Sequence, residues 1–308
     1  MITEKVTIGS NYPLDGLITI PDTGKSPYPA VVLVQGSGAH DMDEKIKGIR
    51  PFKDIAEGLA KFGVASIRYN KRSLTYGKQM VKTLGNSLTV KEEVIEDAVL
   101  AAELLRQDSR INPDKTFIVG HSLGGMLAPR IDAEGGNFSG LIILAGSPRR
   151  LEDIMKEQQA EYLNSSKGFV KWIAGKQIKK ISENLAKIST MSDEEAKNTR
   201  FAGGTTLYYL KEMGAKSPAE YLESSTKPIL VMHGDKDLQV LTDKDFEGYK
   251  KILENHPDVT FTLYPNLNHC FMPSVYSEIS KLMKEYKLER HVEEYVIADM
   301  AQWVNAHA

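Results

Sequence analysis

The chain is poor in the residues on which several classes of protein depend. It has one cysteine in 308 residues, Cys270, so it can form no internal disulfide and offers no cysteine cluster to a zinc ion. Its 39 lysines and arginines nearly balance its 41 aspartates and glutamates, and a net charge of −2 gives no strong field for nucleic acid or an anionic membrane. These shortages argue against a disulfide-stapled domain, a zinc-binding module and a nucleic-acid-binding protein.

Long apolar runs are missing as well. No window reaches the roughly 18 apolar residues that a membrane-spanning helix needs. The first ten residues, MITEKVTIGS, have no apolar segment of signal-peptide length. Otherwise the composition is that of an ordinary globular protein, with 41% hydrophobic and 26% charged residues. We therefore expect a soluble cytoplasmic protein with enough chain to bury a full core.

The pattern that is present is an alternation of strand-like and helix-like segments. Continuous apolar runs such as AVVLVQG (30–36) are typical of strands buried on both faces. PFKDIAEGLAKFG (51–63) has helical spacing, with a proline at its start and a glycine at its end. Strands that alternate with helices predict an α/β fold with a doubly wound, mostly parallel sheet. The predicted strands are 3–8, 14–20, 30–36, 64–69, 116–121, 141–146, 228–234 and 259–264, the first two forming an antiparallel pair.

One interval interrupts this alternation. No strand-like segment lies between Gly146 and Lys227. The apolar residues of this interval instead have helical spacing, and it contains two capping boxes, SDEE (192–195) and SPAE (217–220). The apolar positions at helical spacing are Ile178, Ile181, Leu185 and Ile188. We predict that residues 148–226 form a helical cap or lid, inserted between core segments 1–147 and 227–308.

A serine lies where one buried strand gives way to a helix-like segment. In FIVGHSLGGMLA (117–128), Gly120 and Gly124 flank Ser122, which suits a turn too tight for a nearby Cβ atom. Gly-x-Ser-x-Gly between a strand and a helix is the context of a nucleophile elbow, which exposes the hydroxyl above the carboxyl ends of the strands. An incidental serine in a glycine-rich turn fits that context less well. Ser122 is therefore the predicted nucleophile.

A serine hydroxyl needs a base, and the base needs an orienting acid. In this architecture the chain order is serine, acid, histidine. His269, in YPNLNHCF, follows the last predicted strand and is better placed than His291 to reach over the sheet edge. The loop in MHGDKDLQV (232–240) follows the preceding strand and contains Asp235 and Asp237, which spacing alone does not separate.

Four segments, VQGSG, GHSLGG, HGDKDLQV and YPNLNHCF, together resemble the α/β-hydrolase superfamily, in its serine esterase, acyl-peptidase-like (dienelactone-hydrolase-like) branch. The resemblance covers essentially the whole chain and is weakest in the predicted cap. It implies an acid in the pattern Gly-x-x-Asp-x-x-Val, which selects Asp237 and leaves Asp235 to tether the loop. It also implies an oxyanion hole made by the backbone N–H groups of Ser37 and Leu123. Gln35 stands where histidine is common in the family, and this leaves a backbone donor intact.

The resemblance and the predicted triad imply a serine hydrolase that acts on small-molecule carboxylic esters of small to medium acyl groups through an acyl-enzyme. No cofactor, metal, nucleic acid or membrane partner is implied, and a homodimer is left open. The same triad could cleave amides, as in an aminopeptidase or acyl-peptide hydrolase, or thioesters. From a different class, a hydrolase fold could serve as a non-catalytic ligand-binding module. A dehalogenase would need a carboxylate at the elbow, where this chain has Ser122. A metal-dependent hydrolase would need a motif such as His-Glu-x-x-His, which this sequence lacks.

Other residues carry secondary predictions. Asp41, Asp43, Lys71 and Arg72, in GSGAHDMDE and YNKRSLTYG, are expected to anchor loops rather than to bind substrate. Cys270 is expected to be a small core residue. Five aromatic residues of the predicted cap could line an acyl pocket or simply attach the cap to the core: Phe169, Trp172, Phe201, Tyr208 and Tyr209.

Overall fold

An eight-stranded sheet forms the centre of the protein in a computed structural model, which describes residues 1–165, 178–179, 181–201 and 205–308. Its strands are Ile2–Ile8 (β1), Leu14–Ile20 (β2), Tyr28–Val34 (β3), Ala65–Tyr69 (β4), Ile111–His121 (β5), Leu141–Leu144 (β6), Ile229–Gly234 (β7) and Val259–Tyr264 (β8). Their order is β1-β2-β4-β3-β5-β6-β7-β8. β1 pairs antiparallel with β2 and β2 with β4, while the other pairs are parallel. The predicted fold class is thus confirmed.

The eight predicted strands are all present, because the apolar runs match the burial that the sheet imposes. β6 and β7 lie in the interior of the sheet, and every one of their residues is buried. The edge strand β1, by contrast, is mostly exposed. The largest boundary error is in β5, which begins at Ile111 rather than at residue 116. Central parallel strands need apolar residues on both faces, and this need makes them visible in the sequence.

Helices cover both faces of the sheet. They are Pro51–Lys61 (α1), Arg72–Leu84 (α2), Glu96–Arg106 (α3), Leu123–Ile131 (α4), Leu151–Ser165 (α5), Asp193–Asn198 (α6), Leu207–Met213 (α7), Pro218–Leu222 (α8), Glu247–Ile252 (α9), Leu282–Glu285 (α10) and Glu294–Ala306 (α11). Successive residues of β3 point to opposite faces, so Val31 packs in one hydrophobic cluster with α1 and α11, and Val32 packs in the other with α3 and α4. None of the described helices has both the length and the apolar character that a membrane crossing requires.

Two helix predictions need correction. α2 was not predicted: Gly77 lies in its middle, and only Arg72 and Met80 are buried along it, although its apolar residues do share one face. The sequence also predicts a closing helix that contains Val292, Val296 and Trp303, but α11 begins at Glu294 and leaves Val292 in the segment before it. The α1 prediction is confirmed, with Pro51 in its first turn and Gly63 at φ 80° just beyond its end.

The described part of the interval between β6 and β7 consists of helices joined by turns, with one isolated bridge between Arg200 and Thr206. It contains α5 to α8, and residues 181–187 are helical too. Both predicted capping boxes are formed, since the side chains of Ser192 and Ser217 each accept the N–H of the glutamate three residues on, which bonds back. Of the apolar positions predicted from helical spacing, Leu185 and Ile188 are buried. Phe169 and Trp172 lie outside the described residues.

Candidate active site

The turn between β5 and α4 explains why two glycines flank the serine. A Cβ atom on Gly124 would lie 2.1 Å from the carbonyl oxygen of Val34, and one on Gly120 would lie 2.2 Å from the carbonyl oxygen of Gly124. Ser122, between them, has φ 53° and ψ −115°, a conformation that side-chain-bearing residues rarely adopt. Its N–H donates to the carbonyl of Leu144 at 2.8 Å. The close packing holds Ser122, half-buried, at the start of α4 in the geometry of a nucleophile elbow.

His269 and Asp237 meet although they lie on different loops. His269 Nδ1 is 2.6 Å from Asp237 Oδ2, and both side chains are buried. The other carboxylate oxygen, Oδ1, accepts the backbone N–H groups of Gln239 (2.7 Å) and Val240 (3.0 Å). Burial alone would raise the pKa of Asp237, but His269 and the backbone donors outweigh it and hold that pKa below its ordinary value. The ionised carboxylate is thus fixed in position to accept a hydrogen bond from the His269 ring.

The structure separates the two aspartates that spacing left open. Asp235 Oδ1 accepts the backbone N–H of Asn266 at 2.6 Å and so tethers the loop that follows β8. Only Asp237 hydrogen-bonds His269. His291 is elsewhere, exposed and bonded to Asp54 of α1 at 2.9 Å.

The loop bearing His269 is tied to the turn bearing Ser122. His121 Nε2 lies 3.0 Å from the carbonyl oxygen of His269, and the two imidazole rings have centroids 4.8 Å apart. Among the described residues no hydrogen bond joins the Ser122 hydroxyl to His269. Such bonds are often long without substrate and shorten when it binds. The two loops are held as neighbours all the same, because His121 directly precedes Ser122.

Ser37 and Leu123, the two residues predicted to stabilise the oxyanion, line a common pocket. Leu123 is the first residue of α4, where the backbone N–H has no partner within the helix. Ser37 lies in the turn after β3. Both line one pocket of about 370 Å³, which also has apolar walls from Met80, Leu88 and Met155. The two residues predicted to donate to the oxyanion thus lie in the wall of one largely apolar pocket.

Glu44 is a site residue that sequence reasoning missed. Its Oε1 accepts the backbone N–H of Gly36 at 2.6 Å and lies 3.0 Å from His121 Nδ1. Both side chains are buried, which alone would raise the pKa of Glu44 and lower that of His121. Their mutual attraction outweighs burial in each case, so the pKa of Glu44 is lowered and that of His121 is raised. Glu44 is the last residue of GSGAHDMDE, the segment whose two aspartates were predicted to anchor loops.

Those two aspartates anchor loops, as expected. Asp41 Oδ1 accepts the backbone N–H groups of Asp43 (3.1 Å) and Lys45 (3.0 Å). Asp43 pairs with Arg68 at 2.9 Å. Gln35 is buried and donates to the backbone carbonyl of Tyr69, so it joins the ends of two strands rather than lining the pocket.

The two adjacent basic residues, Lys71 and Arg72, have different roles. Lys71 Nζ donates to the carbonyl of Gly36 at 2.8 Å and so anchors a loop, as predicted. Arg72 does not lie in a loop; it begins α2 and forms a buried ion pair with Asp97 of α3. The correction follows from the missed helix α2.

The remaining candidates also have defined places. Phe201 and Tyr209 line the pocket, whereas Tyr208 packs under Lys197. Cys270 is buried, and burial raises the pKa of its thiol well above the usual range, so it is an unreactive core residue as predicted. Within the described ranges, no group of three or more metal-ligating side chains occurs.

The sheet order, the crossover helices and the strained serine turn define the α/β-hydrolase class. A family model described as "Serine aminopeptidase, S33" matches residues 29–273, and the chain belongs to this family of α/β-hydrolases.

Known relatives include esterases and peptidases. Esterase EstD from Thermotoga maritima is 36% identical over 291 residues, or 94% of this chain, and the chain spans about two thirds (65%) of that relative. Est1E from Butyrivibrio proteoclasticus superposes with a TM-score of 0.57 at 16% identity, covering 96% of this chain and 99% of that one. Proline iminopeptidase from Mycobacterium smegmatis gives 0.58 at 16% identity, covering 99% and 98%. At these identities the two structures show a shared fold alone.

Proposed function

We propose that this protein is a serine hydrolase that cleaves carboxylic esters of small to medium acyl groups, with Ser122, His269 and Asp237 as its catalytic triad. The observation that carries the proposal is the buried 2.6 Å contact between Asp237 and His269, on a loop hydrogen-bonded to the strained serine turn. The similarity to Esterase EstD supports an ester as the substrate.

Acylation follows from this geometry. Asp237 accepts a hydrogen bond from His269 Nδ1, which leaves the lone pair on Nε2 to take the proton of the Ser122 hydroxyl. The hydroxyl oxygen attacks the ester carbonyl, and the resulting oxyanion is stabilised by the N–H groups of Ser37 and Leu123. Each such donor contributes about 10²–10³ in rate. The intermediate then expels the alcohol, which takes the proton from His269 Nε2.

Deacylation reverses the roles with water as the nucleophile. His269 Nε2 removes a proton from water, and the hydroxide attacks the acyl carbonyl on Ser122. The same two backbone N–H groups stabilise the second oxyanion. His269 then returns the proton to Ser122 as the acid is released, so no other reagent is consumed.

The helical interval at 148–226 acts, in this proposal, as a cap over the acyl group. Leu151 and Met155 of α5 and Leu210 of α7 contribute apolar walls to the 370 Å³ pocket beside Ser37 and Leu123. An acyl chain in this pocket would gain about 0.8 kcal/mol per buried methylene. Substrates of small to medium chain length fit a pocket of this size.

Amide cleavage is the second candidate. The match to a serine aminopeptidase family favours it, and the same nucleophile, base and oxyanion donors would act on an amide carbonyl. Ester cleavage and amide cleavage would use the same catalytic atoms of the protein and differ only in the substrate that is accepted.

The first test is hydrolysis of p-nitrophenyl esters from acetyl to dodecanoyl, beside the p-nitroanilides of alanine and proline, by wild type and Ser122→Ala. We expect the wild type to hydrolyse esters of short to medium chains and the variant to lose at least about 10⁴ in kcat/KM. Labelling by a serine-directed phosphonate should be lost in parallel. Turnover by a folded Ser122→Ala would contradict the proposal, and a marked preference for anilides would favour the peptidase candidate.

A further inference from the structure

A buried ammonium group forms a hydrogen bond to the peptide that joins Gly36 to Ser37. Lys71 Nζ donates to the Gly36 carbonyl oxygen at 2.8 Å. That carbonyl and the N–H of Ser37 belong to one planar trans peptide, in which they point in opposite directions. Whatever fixes the carbonyl therefore fixes the direction of the N–H, which is the donor proposed for the oxyanion.

The other side of Gly36 is held as well. Its N–H donates to Glu44 Oε1 at 2.6 Å, so side chains hold both backbone polar groups of this residue. A Cβ atom on Gly36 would lie 3.1 Å from Ser122 Cβ, so the held loop passes close to the nucleophile. Small rotations of this loop would therefore alter the distance between the donor and the reacting carbonyl.

Lys71 is in turn positioned by groups that reach into the helical insertion. The exposed fraction of its side chain is 3%, and its ammonium lies 3.5 Å from Glu93 Oε1. The other oxygen, Glu93 Oε2, accepts the hydroxyl of Tyr209 at 2.5 Å, and Tyr209 lies on α7. Burial would raise the pKa of Glu93, but Lys71 outweighs it and the pKa is lowered, so the pair is ionic.

A buried ion pair is a poor way to stabilise a fold. Removing two charges from water costs several kcal/mol per ion, and apolar replacements of equal volume are often neutral or stabilising. An ammonium on a carbonyl does, however, form a charge-assisted hydrogen bond and polarises the peptide that it holds. The N–H on the opposite side of such a peptide is a stronger hydrogen-bond donor with a better-defined orientation.

We propose that Lys71 is a positioning residue of the oxyanion hole, which orients and polarises the Gly36–Ser37 peptide, and that Glu93 and Tyr209 couple it to α7. The inference rests on the proposed function, because it assigns a role to the Ser37 N–H. It extends that function by linking the position of the insertion to stabilisation of the transition state.

The neighbouring buried ion pair provides a matched control. Arg72 is also buried and pairs with the buried Asp97, but it has no hydrogen bond or ion pair to the described loop at Gly36 and does not line the pocket. Lys71→Met and Arg72→Met therefore each remove one buried cation from its carboxylate partners, which are Glu93 for Lys71 and Asp97 with the more exposed Glu96 for Arg72. Both should lower the midpoint of thermal unfolding, whereas only the first should disturb the oxyanion hole.

The experiment compares kcat and KM of these variants on the best p-nitrophenyl ester, with inhibition by an alkyl trifluoromethyl ketone. This ketone binds as a tetrahedral adduct of the serine and needs the oxyanion hole. For Lys71→Met we expect kcat to fall about 10–100-fold, part of the effect of losing a donor, with KM changed less than about threefold. Inhibitor affinity should weaken by a similar factor. For Arg72→Met, kcat should stay within about threefold of wild type.

Three results would overturn the inference. They are an unchanged kcat in a folded Lys71→Met, a rise in KM with kcat unchanged, and an equal loss of kcat in Arg72→Met. Ser122→Ala in the same assay tests the proposed function separately. If that variant is inactive while Lys71→Met keeps its kcat, only the positioning role fails; if Ser122→Ala is active, the proposed function itself fails.

A milder variant tests the link to α7 and is informative even where Lys71→Met does not fold. Tyr209→Phe removes one hydroxyl at the far end of the chain of contacts, so we expect kcat to fall about 2–5-fold with KM nearly unchanged. In a Lys71→Met background the same change should have no further effect on kcat, because its route to the peptide is gone. A Tyr209→Phe enzyme with wild-type kcat and inhibitor affinity would contradict the coupling.

Discussion

Two histidine–carboxylate pairs lie side by side in this site and do different things. His269 bonds Asp237 at 2.6 Å, and His121 contacts Glu44 at 3.0 Å, each through Nδ1. The four side chains are buried, and the two rings are 4.8 Å apart. By composition and burial alone, either pair could serve as the base and acid of a triad.

The second ring nitrogen separates them. His121 Nε2 faces the backbone carbonyl of His269, which can only accept, so this nitrogen carries a hydrogen and has no lone pair to offer. His269 Nε2 bonds to none of the described residues. The proposed transfer of a proton from Ser122 is therefore assigned to the His269 pair, while the His121 pair joins the two loops.

The largest effect is expected when the proposed base is removed. His269→Gln should lower kcat/KM by about 10⁴–10⁶, because a serine hydroxyl without its base is a weak nucleophile. The free energy of unfolding should fall as well, because Asp237 stays buried and, of its described hydrogen-bond partners, keeps only the two backbone donors. The rates are measured on the best p-nitrophenyl ester, and a folded variant with more than a tenth of wild-type activity would place the base elsewhere.

The two aspartates of the loop after β7 sharpen the comparison. Asp237→Asn should lower kcat by about 10³–10⁴, because an amide no longer stabilises the imidazolium or fixes its tautomer. Asp235→Asn is the matched control, since its amide oxygen can still accept the N–H of Asn266, and its kcat should stay within about threefold of wild type. Similar losses in both variants would mean that loop structure and not charge is responsible.

Breaking the second pair should affect stability more than chemistry. His121→Gln leaves Glu44 buried without its cation, which should lower the free energy of unfolding by about 3–5 kcal/mol. We expect kcat to fall only about tenfold, through displacement of the loops. Denaturant unfolding and steady-state rates at 25 °C provide both numbers. A loss of kcat equal to that of His269→Gln would remove the distinction drawn between the pairs.

The smallest effect concerns pH. The pKa of Glu44 lies below its ordinary 4.5, so its contribution to stability is present above that pH and is lost as pH falls through the folded-state pKa. The pKa of His121 lies above its ordinary 6.5, so its contribution is complete below that pH and is lost as pH rises through the folded-state pKa. The difference in unfolding free energy between wild type and Glu44→Gln should therefore be largest between these pH values. A difference independent of pH would show that the pair is not ionic.

Much of this protein could be predicted locally. The central strands can be recognised in the sequence because parallel strands need apolar residues on both faces. The elbow can be recognised because no Cβ fits beside Val34 and Gly124, and this requires the pattern Gly-x-Ser-x-Gly. The capping boxes are equally local, since Ser192 and Glu195 meet within one helical turn. In each case the physical requirement acts on residues close together in sequence.

The rest was decided by contacts between distant segments. Glu44 meets His121 across 77 positions, Lys71 meets Gly36 across 35, and Tyr209 meets Glu93 across 116. No periodicity or spacing records such pairs, because only the folded sheet brings the ends of its strands together. α2 escaped prediction for a related reason: its most buried polar residue, Arg72, is paired with Asp97 of α3, a contact between distant segments. The strands, the turn and the reactive residue types are thus properties of the sequence, whereas the role of each buried charge is a property of the tertiary structure.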